Sequence, residues 1–148
     1  MFVHLYATYL ISPTGPKLYK ATATIQDNQH NGSTKLHKDL TDAVNIMTWS
    51  AKFPDGTPGD ALWHIYTATA APILSSFLRV HAGFTGPGDA IHSQTICMTP
   101  ALIRLFFVTH GIRPHTIYQR PGEAVFIPAG CPHQVCVYPS IKHSHPLT

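Results

Sequence analysis

The triplet His37-Lys38-Asp39 is the first place in this chain where residue types and spacing combine into chemistry. In an extended segment, side chains two apart share a face. An imidazole and a carboxylate placed that way can reach one metal ion together. The triplet alone is a modest signal, because 11 histidines are spread through the 148 residues and a solvated turn is the commoner home of an H-x-D. Asn45 has the same parity and would join the face of His37 and Asp39 in a strand running unbroken through Asp42. Cys131, His133 and Cys136 form another group with ligand chemistry. They offer three ligands where a structural zinc site takes four, so zinc is not expected there. His64 and His92 could line a site, although satisfied, partly buried histidines are commoner, and His143 and His145 read as solvated.

A sharper pattern lies at residues 122–133, GEAVFIPAGCPH. Pro121-Gly122 makes one turn, EAVFI reads as a buried strand, and PAGCP makes a second tight turn. The spacing from Gly122 through Pro128 and Gly130 to His133 resembles the second conserved motif of the cupin superfamily. It departs only at the last position, where Val137 replaces Asn. That resemblance turns His133 into the interior of a barrel. With His37 and Asp39 it makes a set of two histidines and one carboxylate, which leaves three coordination positions open on one face of an octahedral iron. The two halves lie far apart in sequence, as facing strands of one barrel would.

The elements that must position these groups are short. Thirteen prolines favour turns over long helices. LYKATATI (18–25), AVNIMTW (43–49) and ALWHIYTA (61–68) read as strands, and QDNQHNGS (26–33) as a polar loop. Leu74, Phe77, Leu78 and His81 have the i, i+3, i+4, i+7 spacing of a helix opened by Ala71-Pro72. A second helix is marked by Thr99 as N-cap, Pro100 at the first position and Gly111 just past the end. TIYQ, EAVFIP and HQVCVY then return to strand. Strands, a helical insert, then strands is the order of a small β-barrel or jelly roll with a helical insertion. Trp63, Tyr66, Phe106 and Phe107 are the expected core aromatics.

Taken together, GPKLYKA (15–21), STKLHKDLTDAVNIM (33–47), GDALWHIYTA (59–68), DAIHSQT (89–95), GEAVFIPAGCPHQV (122–135) and SIK (140–142) resemble a JmjC domain, most closely the lysine demethylase 3 and hairless-type branch. The resemblance implies a mainly β fold, the double-stranded β-helix or jelly roll, with peripheral helices in an insertion. It implies one JmjC-like domain over residues 1–148, pared at both ends. The family continues past the position of Lys142 into another strand, so a barrel short of one strand is expected here. The implied chemistry is Fe(II)- and 2-oxoglutarate-dependent oxidation, with iron on His37, Asp39 and His133. Thr34 and Asn45 would contact 2-oxoglutarate through hydroxyl and amide donors. Many JmjC proteins place a lysine for the far carboxylate on the strand that here reads ALWHIY. None is present there, and Lys142 is the preferred substitute, with Lys20 behind it. The implied substrate is a methylated lysine peptide of a histone tail, and the implied location is the nucleus. A protein hydroxylase and a non-catalytic, chromatin-associated binding module stay open as alternatives.

Composition bounds these readings. A chain of 148 residues makes one domain, able to bury roughly 68–70% of its unfolded surface. With 44% hydrophobic and 11% charged residues it is not a disordered chain. A net charge of +3, without a basic run, gives no reason to expect direct nucleic-acid binding. No 18 consecutive apolar residues occur, so no membrane partner is expected, and MFVHLYATYLI lacks the features of a signal peptide. Three cysteines suggest no disulfide framework.

Overall fold

A computed structural model describes residues 3–10, 17–22, 34–52, 56 and 58–136; in the first two segments it describes the strands alone. The elements in chain order are β1 (Val3–Leu10), β2 (Lys17–Thr22), β3 (Thr34–His37), β4 (Ala43–Ser50), β5 (Ala61–Ile65), α1 (Ala71–His81), α2 (Pro100–His110), β6 (His115–Gln119), β7 (Ala124–Ile127) and β8 (His133–Cys136). The strands form two antiparallel four-stranded sheets, ordered β2-β1-β4-β7 and β3-β8-β5-β6. The chain changes sheet between β2 and β3, β3 and β4, β4 and β5, β6 and β7, and β7 and β8. That repeated crossing winds the jelly roll that the sequence implies. The first sheet has its four strands because β1 lies between β2 and β4. The polar loop read at 26–33 and the tail from 137, which carries Lys142, lie outside the described residues.

Two cores follow from the alternation of the strands. Ala43 and Met47 of β4 and Val125 and Ile127 of β7 point between the sheets, where they meet Ala61, Trp63 and Ile65 of β5, Val135 of β8 and Cys131. The opposite face of the second sheet is covered by the helical insertion. There Leu36 and Tyr66 pack with Leu74, Phe77 and Leu78 of α1, Ile91, Met98 and Phe106. Burying each large side chain of this kind contributes about 1.5–3 kcal/mol. Both faces of β5 and β8 are therefore buried, and β8 is buried at every residue.

The helices form where their signals stand. Leu74, Phe77 and Leu78 make the buried stripe of α1, while His81 is exposed and lies against the Phe77 ring. Thr99 caps α2 by accepting the Leu102 amide, and Gly111 ends it at φ 71°, a left-handed conformation that glycine adopts without steric cost. One expected core residue differs. Phe107 is only partly buried and carries the Arg113 guanidinium 3.7 Å over its ring, because the buried stripe of α2 passes through Phe106 one position earlier.

Candidate metal centre

His37 is the last residue of β3 and His133 the first of β8, and the two face each other in the antiparallel register. Their rings lie 4.1 Å apart. Asp39 stands on the turn that carries the chain from β3 to β4. One ligand atom from each of His37, Asp39 and His133 falls within 4.8 Å of the others, with His133 Nε2 3.8 Å from Asp39 Oδ2. That is too long for a hydrogen bond between the last two.

Two turns that cross between the sheets hold these groups, and each turn fastens the other. The Gly130 amide donates to the Asp39 carbonyl at 2.8 Å, and the Ala129 amide donates to Asp42 Oδ1 at 2.7 Å. The PAGC turn is itself closed by the Cys131 amide donating to Pro128, with Gly130 at φ 74°. A positive φ at the third position is the mark of a type II turn and explains glycine there. The strand does not run unbroken to Asn45. It stops at His37, and Asn45 lies in the first sheet, buried on the inner side of β4 between Ala43 and Met47. Thr34 is half-buried and paired with Val135 on β8.

The hydrogen bonds decide the tautomers. His133 Nδ1 lies 3.0 Å from the Cys131 carbonyl, and His37 Nδ1 lies 2.8 Å from the Lys35 carbonyl. A carbonyl only accepts, so each ring carries a proton on Nδ1, and in the neutral form the lone pair is on Nε2. Burial pushes His133 down to about 4, and the neighbouring His37 charge pushes the same way. The Cys131 carbonyl and Asp39 offset only part of this. His133 is therefore a neutral imidazole at neutral pH, as a metal ligand must be. Two Nε2 lone pairs and one carboxylate are the donor set that a divalent first-row metal takes, and partners fixing the far nitrogen of each ring are what such a site needs.

Several neighbours were not evident from the sequence as parts of this site. Trp63 stacks on His133 with centroids 6.1 Å apart. Its indole N–H donates to Gln119 Oε1 at 2.8 Å, and Gln119 Nε2 donates to the carbonyls of Asn45 and Glu123. Gln119 is fully buried, so this one amide joins the wall of the site to both sheets. Its only signal in the sequence was an amide closing the strand TIYQ before a Pro-Gly turn. His64 faces the other way, toward the helices, where Gln134 Nε2 donates to its Nδ1 at 3.2 Å. His92 is exposed beside Asp89. Among the described residues outside β1 and β2, no lysine or arginine is buried. Of the two lysines expected to meet the far carboxylate, Lys142 lies outside the described residues, and of Lys20 only the strand backbone is described.

Comparison with known proteins places the chain in a family. The family model for "JmjC domain, hydroxylase" matches residues 53–145. Lysine-specific demethylase 3A-B of Xenopus laevis is 34% identical over 164 aligned positions, covering 86% of this chain and 12% of that protein. Lysine-specific demethylase 3 of Drosophila melanogaster is 33% identical over 157 positions, covering 82% of this chain and 18% of that protein. Lysine-specific demethylase 3A of Homo sapiens is 31% identical over 163 positions, again 86% of this chain and 12% of that protein. The chain spans between 12% and 18% of the length of these relatives.

Proposed function

The chain belongs to the JmjC domain family, and on that premise we propose that it is an Fe(II)- and 2-oxoglutarate-dependent oxygenase acting on methyl-lysine of a histone tail in the nucleus. The observation that carries this reading is the convergence of His37, Asp39 and His133 with both Nε2 lone pairs free. His37 Nε2, His133 Nε2 and an Asp39 carboxylate oxygen hold the iron. When bound, iron and 2-oxoglutarate together supply the activation of dioxygen that hydroxylates a C–H bond, and an N-methyl group hydroxylated in this way leaves as formaldehyde.

The chain's own part is to orient and to exclude water. The Cys131 and Lys35 carbonyls keep the Nδ1 protons in place and so aim each Nε2 at the ion. Trp63 covers one face of His133, which is only 3% exposed, and Gln119 fixes Trp63 in turn. Asn45 and Thr34 are the amide and hydroxyl offered to 2-oxoglutarate, and Lys142 supplies the cation for its far carboxylate. All of residues 1–148 act as one domain in this reading.

The test is iron-dependent conversion of 2-oxoglutarate to succinate with a methyl-lysine histone peptide, with formaldehyde measured in parallel. Hydroxylated product without formaldehyde would indicate a protein hydroxylase instead. His133→Ala removes one of three ligands and leaves the strand ladder in place. Co(II) affinity should fall by more than about 100-fold while the circular dichroism spectrum is kept. Unchanged Co(II) affinity in that variant would overturn the ligand assignment.

A further inference from the structure

The DAIHSQT segment plays no part in the ligand set, yet it reaches the metal strand. β3 is an edge strand of only four residues, and its ladder to β8 is broken by a bulge between Thr34 and His37. It therefore has sheet hydrogen bonds on one side only. Its free side is held by the helical insertion. The Leu36 amide donates to the Ile96 carbonyl at 2.9 Å, and just past the strand Lys38 Nζ meets Asp89 Oδ2 at 2.8 Å. Lys38 stands between the two ligands contributed by this segment and reaches away from them into the insertion.

Asp89 is fixed from several directions. Its Oδ1 accepts from Ser75 Oγ of α1 at 2.7 Å and from the Ile91 amide at 2.9 Å, while His92 Nδ1 lies 3.2 Å from Oδ2. Burial alone would raise its carboxyl. The hydrogen bonds from Lys38, Ile91 and Ser75, with the Lys38 charge, outweigh that and hold it well below the usual carboxylate range. Asp89 is thus an ionised post anchored to α1 and to its own loop, and Lys38 is tied to it. Lys38 and Asp89 are each less than a third exposed, so the pair is less screened than an open surface pair.

We propose that Asp89 is a positioning residue for the metal centre: its ion pair with Lys38 holds the turn bearing His37 and Asp39 on the one side where the edge strand lacks a sheet neighbour. The inference rests on the reading of His37, Asp39 and His133 as metal ligands. The PAGC turn grips the same segment from the opposite side through Gly130 and Asp39. Opening the Lys38–Asp89 pair leaves the Leu36–Ile96 bond, one step back on the strand, as the named hold on the insertion side.

The test uses Asp89→Asn, Lys38→Met and Lys38→Arg in the full chain. In the metal-free protein, amide hydrogen exchange at Gly130 and Leu36 reports the two backbone bonds that flank the turn. Asp89→Asn and Lys38→Met should exchange about tenfold faster at both amides, with the β4–β7 ladder unchanged. They should also bind Co(II) about tenfold more weakly, with a shifted visible spectrum. Lys38→Arg keeps the ion pair and should stay near wild type. Unchanged exchange at Gly130 and Leu36, or equal acceleration in the β4–β7 ladder, would overturn the proposal, the second by showing a general loss of stability. A Lys38→Arg variant as impaired as Lys38→Met would overturn it as well. If the wild-type chain binds no Co(II), the metal reading fails, and the exchange rates of the metal-free protein still decide whether Asp89 holds the turn.

Discussion

At the scale of single residues, what separates the histidines of this chain is which atom each ring nitrogen faces. His37 and His133 donate from Nδ1 to carbonyls and so expose a lone pair at Nε2. His64 is the reverse case. Gln134 takes the Met98 amide on its Oε1 and gives Nε2 to the Met98 carbonyl, which fixes the orientation of its side-chain amide. Its Nε2 can then only donate to His64 Nδ1, and that nitrogen must stay unprotonated. Burial pushes His64 from 6.5 down to about 4. The sign of the linkage follows. Above pH 6.5 His64 is neutral in the folded and unfolded chain alike and contributes no pH dependence. Between about 6.5 and 4 the unfolded chain takes up a proton that the folded one refuses, so stability falls as pH falls. Urea midpoints measured across that window should drop for the wild type, and His64→Leu should flatten part of the drop. His133 shifts the same way and contributes to the remainder. A wild-type midpoint that holds constant from pH 6.5 to 4 would contradict the burial of both rings. None of these roles was legible from the counts of His and Gln, since a tautomer is set by partners remote in sequence: His64 and Gln134 meet across the β5–β8 ladder.

At the scale of elements, legibility follows the range of the signal. The cap of α2 is written in neighbouring residues, Thr99, Pro100 and Gly111, and the helix ends where they say. The strands β5 and β7 likewise lie within the segments read as strand, and β4 and β6 exceed theirs by one residue each, Ser50 and His115. The parity argument for Asn45 fails for a physical reason. Residues 38–42 turn the chain from one sheet to the other, so parity counted along the sequence loses its meaning there. Asn45 nevertheless points inward, because β4 has its own alternation. Phe107 shows the opposite lesson: an apolar pair such as Phe106-Phe107 does not say which of its members faces the core. The turn at Gly130 carries a prediction of its own. A side chain at φ 74° costs about 1–2 kcal/mol for lack of room beside the following carbonyl. The Gly130 amide also holds the Asp39 carbonyl. Gly130→Ala should therefore lower the unfolding free energy by about that amount and weaken Co(II) binding as well. Chemical denaturation and metal titration on one preparation check both. A loss of stability with unchanged metal affinity would show that the turn does not transmit to Asp39.

At the scale of the whole molecule, the site sits where three layers meet: the first sheet, the second sheet and the helical insertion. Crossing turns join the sheets, Gln119 spans them, and Lys38–Asp89 ties in the helices. The composition announced a packed chain of this kind, and the resemblance announced the roll, but neither said which strand would stand beside β4. β1 pairs with β2 along one edge and with β4 along the other, so the first sheet depends on a segment remote from β4 in sequence. Such pairing is non-local and leaves no local signature beyond apolar residues. Its consequence is testable. Deleting residues 1–10 would strip β4 of one neighbour and leave β2 with none of its pairing, exposing unpaired ladder groups along β4. β4 also carries Asn45, and its inner face packs against Trp63 and Val135. The shortened chain should therefore lose its cooperative thermal transition, associate on size-exclusion chromatography, and bind Co(II) at least tenfold more weakly, because the sheet that backs His37 and His133 loses its support. A monomer with a sharp transition and wild-type metal affinity would show that β4 and β7 close the roll without β1.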